Sequence, residues 1–372
     1  MKPRGQIKPE FWAGKRVLVT GHTGFKGSWL SLWLSQLGAQ VSGLSLEPET
    51  QPSLFNQLQL ELRLKHHWIA DIRGFGAVAD AVEASQPQVV LHLAAQPLVR
   101  RSYRDPLGTW ASNVQGSLHV LEALKVLQHP CAVVMVTTDK VYENQEWDYG
   151  YREADRLGGH DPYSASKAAA ELAIASWRSS FCGSAGHQTP HLAIATARAG
   201  NVIGGGDWAE DRIVPDAIRA LSAGEPILVR NPLATRPWQH VLEPLGGYLC
   251  LAEALLCDSQ PPCEAFNFGP TLASNRPVEE LVTAILSQWP GSWLDQRDHA
   301  APHEANLLHL QIDKAHHRLG WTPRWDFATT VQRTVEWYFR HRQGTSALTC
   351  CLADLEAYQA VSPFFYLSSK AS

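Results

Sequence analysis

At 372 residues, with 18% charged side chains and a formal charge of −4, the chain lacks the strongly basic balance of a nucleic-acid-binding surface. Its length suits two domains, or one large unit with an appended lobe. No membrane role is indicated: Met1-Lys2-Pro3-Arg4-Gly5 leads into no apolar signal core, and the most apolar later run, Tyr248 to Leu256, is interrupted by Glu253. In chain order, residues 1–13 carry no clear pattern beyond Phe11-Trp12, apolar enough to anchor this arm. Lys15-Arg16-Val17-Leu18-Val19-Thr20 reads as a strand that ends in Gly21-His22-Thr23-Gly24-Phe25-Lys26-Gly27 and feeds an amphipathic helix from Ser28 to Leu37. Glycines at this spacing let the backbone turn tightly, approach a pyrophosphate and pack the helix on the strand, with the helix N-terminus facing the phosphates.

The second strand, Gln40 to Leu46, is expected to end with the group that reads an adenosine ribose. Asp or Glu is usual there; Ser45 occupies the place, with Glu47 as the nearby alternative. Leu54 to Leu64 reads as a short helix. Ile69-Ala70-Asp71-Ile72 reads as a short strand whose carboxylate accepts from an adenine amino group while Ile72 covers the ring, the rival reading being a surface Asp. A helix from Phe75 to Ser85 leads to the doubly buried strand Gln88 to Gln96. Its Leu93-Ala94-Ala95 end is small enough to let the nicotinamide-side ribose pass, and Gln96 follows as a substrate contact. A helix around Trp110 to Leu127 carries Asn113, a further cofactor contact.

Next, Val133-Val134-Met135-Val136 delivers Thr137-Thr138-Asp139-Lys140-Val141-Tyr142, and after a polar excursion a helix opens at Asp161-Pro162-Tyr163-Ser164-Ala165-Ser166-Lys167. In open α/β sheets, ligands sit at the carboxyl ends of such doubly buried strands. Pro162 suits a first helical turn. Tyr163 and Lys167 are four apart and share a face, so the ammonium favours the phenolate and lowers the phenol toward the range of a general base, with Thr138 in reach of the same hydroxyl. Taken alone, the Y-x-x-x-K spacing is a short pattern that matches often by chance and favours a surface helix that happens to carry Tyr and Lys.

Strand and helix alternate throughout, with crossovers of the length a parallel sheet requires, which predicts an α/β, doubly wound, Rossmann-type fold. The second half changes character after a sixth strand, His191 to Arg198, and a glycine-rich crossing from Ala199 to Trp208. Helices at Ile213 to Ala223, up to Cys257, at Val278 to Ser287 and at Phe327 to Arg342, with strands Ile227 to Val229 and Ala265 to Gly269, read as a smaller lobe capping the carboxyl edge, some strands crossing back to the sheet. The expected division is 14–198 for the dinucleotide-binding domain, 199–345 for the substrate lobe and 346–372 for a tail, in which Pro363-Phe364-Phe365-Tyr366 is too apolar to hang free. Seven cysteines without framework spacing read as thiols of a reducing compartment, the cytoplasm. Among sixteen histidines, His66-His67 and His316-His317 lack i, i+4 ligand spacing and a cysteine partner, so no metal is expected.

Together, the G-x-x-G-x-x-G turn, Asp71-Ile72, His92-Leu93-Ala94-Ala95, the Thr138-Asp139-Lys140 strand end and Tyr163-x-x-x-Lys167 resemble the extended short-chain dehydrogenase/reductase family of nucleotide-sugar enzymes over nearly the whole chain. The longer strings Thr137 to Tyr142, Arg198 to Trp208, Arg236 to Pro244 and Pro302-His303-Glu304-Ala305 are similar to its 4,6-dehydratase branch. The resemblance implies a tightly held NAD recycled in each turnover, a nucleotide sugar as substrate, CDP-D-glucose, which loses water, and a place in dideoxy-sugar synthesis. It also implies a homodimer or tetramer pairing through the Tyr163 helix and its neighbour.

By the same resemblance, Tyr163 removes the 4-hydroxyl proton, with Lys167 and Thr138 tuning it, and Asp139 protonates the departing 6-hydroxyl. Sister dehydratases carry Glu, the C5 base, where Lys140 stands; Lys140 is either that base, given a depressed pKa, or a positioner. Asn201 and Arg236 match positions near the diphosphate, where a guanidinium suits bidentate contact, and His303 and Glu304 fall at the nucleotide end. An epimerase or plain dehydrogenase would use the tyrosine and lysine without needing the Asp139-Lys140 pair. A non-catalytic NAD sensor would be expected to have lost the tyrosine or the lysine.

Overall fold

In the computed structural model, residues 5–182, 189–297 and 307–361 are described. The main strands are β1 (Arg16–Thr20), β2 (Gln40–Ser45), β3 (His66–Ile69), β4 (Val89–His92), β5 (Cys131–Val136), β6 (Leu192–Ala199) and β7 (Ala265–Phe268). They form one parallel sheet in the order β7-β6-β5-β4-β1-β2-β3, the doubly wound arrangement expected of the alternating pattern. The order reverses at β1, so a crevice opens between the carboxyl ends of β1 and β4.

Both faces of the sheet are buried, and side chains divide between them with the two-residue period of a strand. In β5, Cys131, Val133 and Met135 join one apolar layer, with Val78, Val120 and Ile174 from the helices Phe75–Ser85, Gly116–Ala123 and Pro162–Phe181. Ala132, Val134 and Val136 join the other, with Trp29, Leu245 and Val335 from Phe25–Gln36, Leu242–Cys257 and Phe327–Arg342. This second layer runs without a break from Trp12 to Tyr358. The crossing back expected of the second half is made by β7, which pairs with β6 from Ala265 to Phe268.

Four elements differ from the sequence reading. The first long helix begins at Phe25 rather than Ser28, and it is not amphipathic, since every residue from Gly27 to Leu34 is buried. It is sandwiched between sheet and C-terminal helices, with Trp33 edge-on to Tyr358 at 5.7 Å between ring centroids. β3 stops at Ile69, before Asp71, because the Asp71 carboxylate accepts from the Arg73 N–H at 2.9 Å and folds the chain into a turn that competes with the ladder. A helix at Val99–Arg104 follows β4, unforeseen because its face is split by three arginines. Finally, the tail carries a helix, Ala347–Ala360, started by Ser346, whose hydroxyl accepts from the Thr349 N–H, and packed through Cys351, Leu355 and Tyr358. Pro363 to Tyr366 lie outside the described residues, as do His303 and Glu304.

Candidate active site

A cavity of about 970 Å³ opens along the carboxyl ends of β1, β2, β4 and β5 and is walled on its far side by second-half residues such as Asn201, Arg212 and Arg236. The glycine turn forms its floor. Gly21 has φ +77°, and a Cβ there would lie 2.7 Å from the Ala94 nitrogen; a Cβ on Gly27 would lie 2.1 Å from the Gly21 carbonyl oxygen. These two positions are closed to any side chain, so the helix starting at Phe25 seats directly on the turn. Gly24, its N-cap, is exposed, and a Cβ there would meet only the Gly21 oxygen at 3.4 Å. The cavity side of Gly24 is thus open above a helix N-terminus without a side-chain cap, which suits a pyrophosphate. The small Ala94-Ala95 end of β4 borders the same space. This cradle has a shape that fits a dinucleotide, and Thr23, Gly24, Phe25 and Ser45 all line it.

Ser45 replaces the usual carboxylate with a hydroxyl locked to Thr23. Thr23 Oγ1 donates to the Leu46 carbonyl at 2.8 Å, so the Ser45 hydroxyl, 2.8 Å away, donates to Thr23 and keeps its lone pairs for a ribose. Beneath it, His22 fills the space left by Gly43 and bonds His67 at 2.8 Å; burial, then the neighbouring His67, pushes it down to about 3. Lys26 lines the cavity, but its ammonium reaches across to the Tyr248 hydroxyl at 2.8 Å, and burial, with the Lys167 and Arg212 charges, lowers it to about 7.

β5 ends at Val136, and the chain turns into a short 3-10 helix at Asp139–Val141, started by Thr138. This turn breaks strand alternation: Thr138 and Lys140 line the cavity, and Asp139 is buried beside them at 3% exposed. Thr138 Oγ1 donates to Asp139 Oδ1 at 3.0 Å, and Gly200 covers the other oxygen so closely that a Cβ there would sit 2.6 Å from it. Burial raises the Asp139 pKa against the opposing Lys140 charge and the Thr138 hydrogen bond.

Across from this turn, Asp161 caps the helix Pro162–Phe181 by accepting from the Ser164 N–H at 3.0 Å, which points Tyr163 and Lys167 at the cavity. Without ligands, burial dominates the phenol and pushes it up to about 12, with the Thr138 hydrogen bond and the Arg212 charge pulling the other way. This corrects the expectation of a phenol already lowered by Lys167, because desolvation outweighs neighbouring charge in a dry site. The Lys167 ammonium donates to the Val136 carbonyl at 3.3 Å; burial lowers it to about 8, and Glu171 raises it.

Several supports went unforeseen. Glu171, one turn beyond Lys167, accepts from Thr137, Thr196 and both Arg198 nitrogens at 2.5–3.0 Å, and Arg198 continues to the Tyr142 hydroxyl at 2.8 Å. Its four-residue spacing from Lys167 was the available signal. Arg212, paired with Asp207 at 2.9 Å, adds a cation to the cavity wall.

Other expected contacts are arranged differently. Asn113 is fully buried and clamps the Gln96 backbone at 2.8 and 3.2 Å and Ser166 Oγ at 2.9 Å, bracing β4 against the tyrosine helix rather than facing the cavity. Gln96 lines the cavity, yet its amide is engaged by Leu98 and Thr109. Asp71 and Ile72 both line the cavity; the Asp71 carboxylate is also held by Arg73, and Ile72 packs on Gly116, where a Cβ would come within 2.6 Å of it. Leu93, Asn201 and Arg236 all line the cavity.

Residues 17–269 match the NAD dependent epimerase/dehydratase family. The chain is 45% identical, over 96% of its length and 99% of the relative's, to a CDP-glucose 4,6-dehydratase of Salmonella typhimurium, and 28% identical to a dTDP-glucose 4,6-dehydratase of Xanthomonas campestris pv. campestris, over 87% and 93% of the two chains. Solved structures share the fold. A dTDP-glucose 4,6-dehydratase from Streptomyces venezuelae with NAD bound superposes with TM-score 0.73 at 24% identity, over 90% and 99% of the two chains. A UDP-glucuronic acid 4-epimerase from Bacillus cereus gives 0.75 at 21%, over 87% and 99%. The chain belongs to the NAD dependent epimerase/dehydratase family. A fold that serves both an epimerase and a dehydratase does not choose the chemistry; the side chains of the site do.

Proposed function

We propose that this chain converts CDP-D-glucose to CDP-4-dehydro-6-deoxy-D-glucose and water. The observation that carries the reading is the turn after β5, which sets Thr138 and Lys140 in the cavity wall with Tyr163 and Lys167 and buries Asp139 beside them. The Salmonella relative supports the nucleotide and sugar. NAD, held along the glycine turn and Ser45, supplies a hydride acceptor for C4 and a hydride donor for C6. Tyr163 as phenolate takes the 4-hydroxyl proton, with the Arg212 charge favouring that phenolate against burial and Lys167 beside it in the cavity wall. The resulting 4-ketone acidifies the C5 proton, which Lys140 removes. Asp139, whose pKa burial raises, gives its proton to the departing 6-hydroxyl, and Lys140 returns the C5 proton. Arg236 and Asn201 hold the diphosphate.

In this reading residues 14–198 bind the cofactor, residues 199–345 shape the sugar site, and the enzyme works in the cytoplasm, where its free thiols stay reduced. Exposed Leu107 and Trp110, beside exposed Leu172 of the tyrosine helix, support a homodimer or a dimer of dimers through these helices. Incubation with CDP-glucose, dTDP-glucose and UDP-glucose, followed by the alkaline absorbance of 4-keto sugars, tests the substrate; product from CDP-glucose alone is expected. Product from none of the three defeats the reading.

A further inference from the structure

Where the cavity meets solvent, an ion-paired bridge joins its two sides. Arg100 lies on the helix Val99–Arg104 that follows β4, and Arg230 stands just beyond the strand Ile227–Val229 of the second half. Each places a guanidinium nitrogen near the same oxygen, Asp211 Oδ1, at 3.6 Å and 2.6 Å respectively. All three residues line the cavity, as does Arg104, whose charge also acts on Asp211. The neighbouring Asp216 is committed to Arg219 and lies 3.5 Å from Arg230, farther than Asp211 does. Cationic charge is therefore in excess at Asp211, on the wall of a cavity that the functional reading gives to a diphosphate.

The bridge is suited to exchange rather than to holding the halves together. Its side chains are between 36% and 47% exposed, so water and salt screen the attraction and the pairs add little to stability. A diphosphate offers the same guanidiniums more negative charge and several acceptor oxygens, which planar forks bind through paired N–H···O bonds. Carboxylate and phosphate compete for the same donors.

Resting on that functional reading, we propose that Asp211 is an internal counter-anion, which holds Arg100 and Arg230 across the cavity rim and surrenders them to the diphosphate of an entering nucleotide sugar. The two guanidiniums then join Arg236 at that group. No covalent bond changes; one anion replaces another beside two cations. An acidic residue that lines the site thus works against binding.

Calorimetric titration with CDP, UDP and dTDP tests the exchange by its sign. Asp211→Asn keeps the side-chain shape, and Asn accepts the left-handed backbone of this position, φ +61°, so the fold is preserved. With the competitor gone, this variant should bind CDP about 5-fold more tightly, the upper end of what an exposed pair is worth. Arg230→Met should bind it about 10-fold more weakly. A carboxylate that only clasps the two sides of the cavity predicts unchanged or weaker binding in Asp211→Asn, and that result overturns the proposal.

A second background separates exchange from the mere removal of a nearby negative charge. In Arg230→Met protein, adding Asp211→Asn should bring little gain, since the contested donor is gone; an undiminished gain there overturns the exchange. NAD affinity should not move in Asp211→Asn, and a gain for NAD in place of CDP assigns the arginines to the cofactor and rejects the proposal. The diphosphate is common to the three nucleotides. If UDP or dTDP binds and CDP does not, the substrate reading falls, while the Asp211→Asn effect on the nucleotide that binds still decides the exchange. A chain that binds none of the three defeats both.

Discussion

At the end of β1 the cavity is shaped by backbone, whereas at the end of β5 it is shaped by side chains held by an ion pair that water does not reach. The cradle depends on what is missing at Gly21 and Gly27, where a Cβ would strike main-chain atoms. The β5 end depends on what is present: Glu171 receives four hydrogen bonds and fastens Thr137 and Arg198 behind the turn that carries Thr138 and Asp139. A backbone site tolerates changes in the surrounding side chains but no added bulk. A side-chain site tolerates neither the loss of a partner nor the entry of water, because its charges were already desolvated on folding.

The largest expected effects fall on the reacting groups. Tyr163→Phe should lower turnover of CDP-glucose by about 10⁴-fold and Asp139→Asn by about 10²-fold, with both variants folded. Of the two, Asp139→Asn should still oxidise C4, visible as absorbance of the reduced cofactor. Lys140→Met should stop solvent deuterium from entering C5 while leaving that oxidation intact. Unchanged deuterium uptake would return Lys140 to a structural role.

Breaking the support behind β5 comes next. Glu171→Gln leaves Arg198 buried without its counter-ion and should cost about 3–5 kcal/mol in chemical denaturation. Burial opposes the charge on Glu171, but the Arg198 hydrogen bonds and charge, with Thr137 and Thr196, bring its pKa below the usual range, so the carboxylate is ionised. A loss below about 1 kcal/mol, the scale of an exposed pair, would mean that the network is ornamental.

At the cradle, Gly24→Val should weaken NAD binding by about 10²-fold while leaving the protein folded, since the new side chain projects into the cavity. Undiminished affinity in a titration would move the pyrophosphate elsewhere.

The smallest effect sharpens the contrast between satisfied and unsatisfied burial. Asp354, in the C-terminal helix, is buried with Oδ2 unpartnered among the described residues and with Arg333 at 3.8 Å from Oδ1, and burial chiefly raises it to about 7. A carboxyl raised on folding binds more protons in the native state, so its contribution is complete below about pH 4 and is lost as pH rises through about 7. Asp354→Asn should therefore flatten the fall of stability across that window and add on the order of 2 kcal/mol near pH 8, with activity unchanged. A pH-stability curve parallel to the wild type's would contradict this.

Much of the molecule was legible in sequence because short-range rules govern it. The unbroken apolar run of β5, the glycine turn between strand and helix and the Asp161-Pro162 start place Tyr163 and Lys167 within one or two residues of their observed elements. What the sequence could not decide were matters of distance between elements. Asn113 reads as a cofactor contact and is a brace, because its partners, Gln96 and Ser166, lie on other elements. The tail hides a helix, since burial of Cys351 and Tyr358 depends on surfaces folded hundreds of residues earlier. Similarly, a phenol beside a lysine looks activated on a helical wheel, but its free energy is dominated by lost water, and hydration is set by everything packed around the group rather than by its neighbours in the chain.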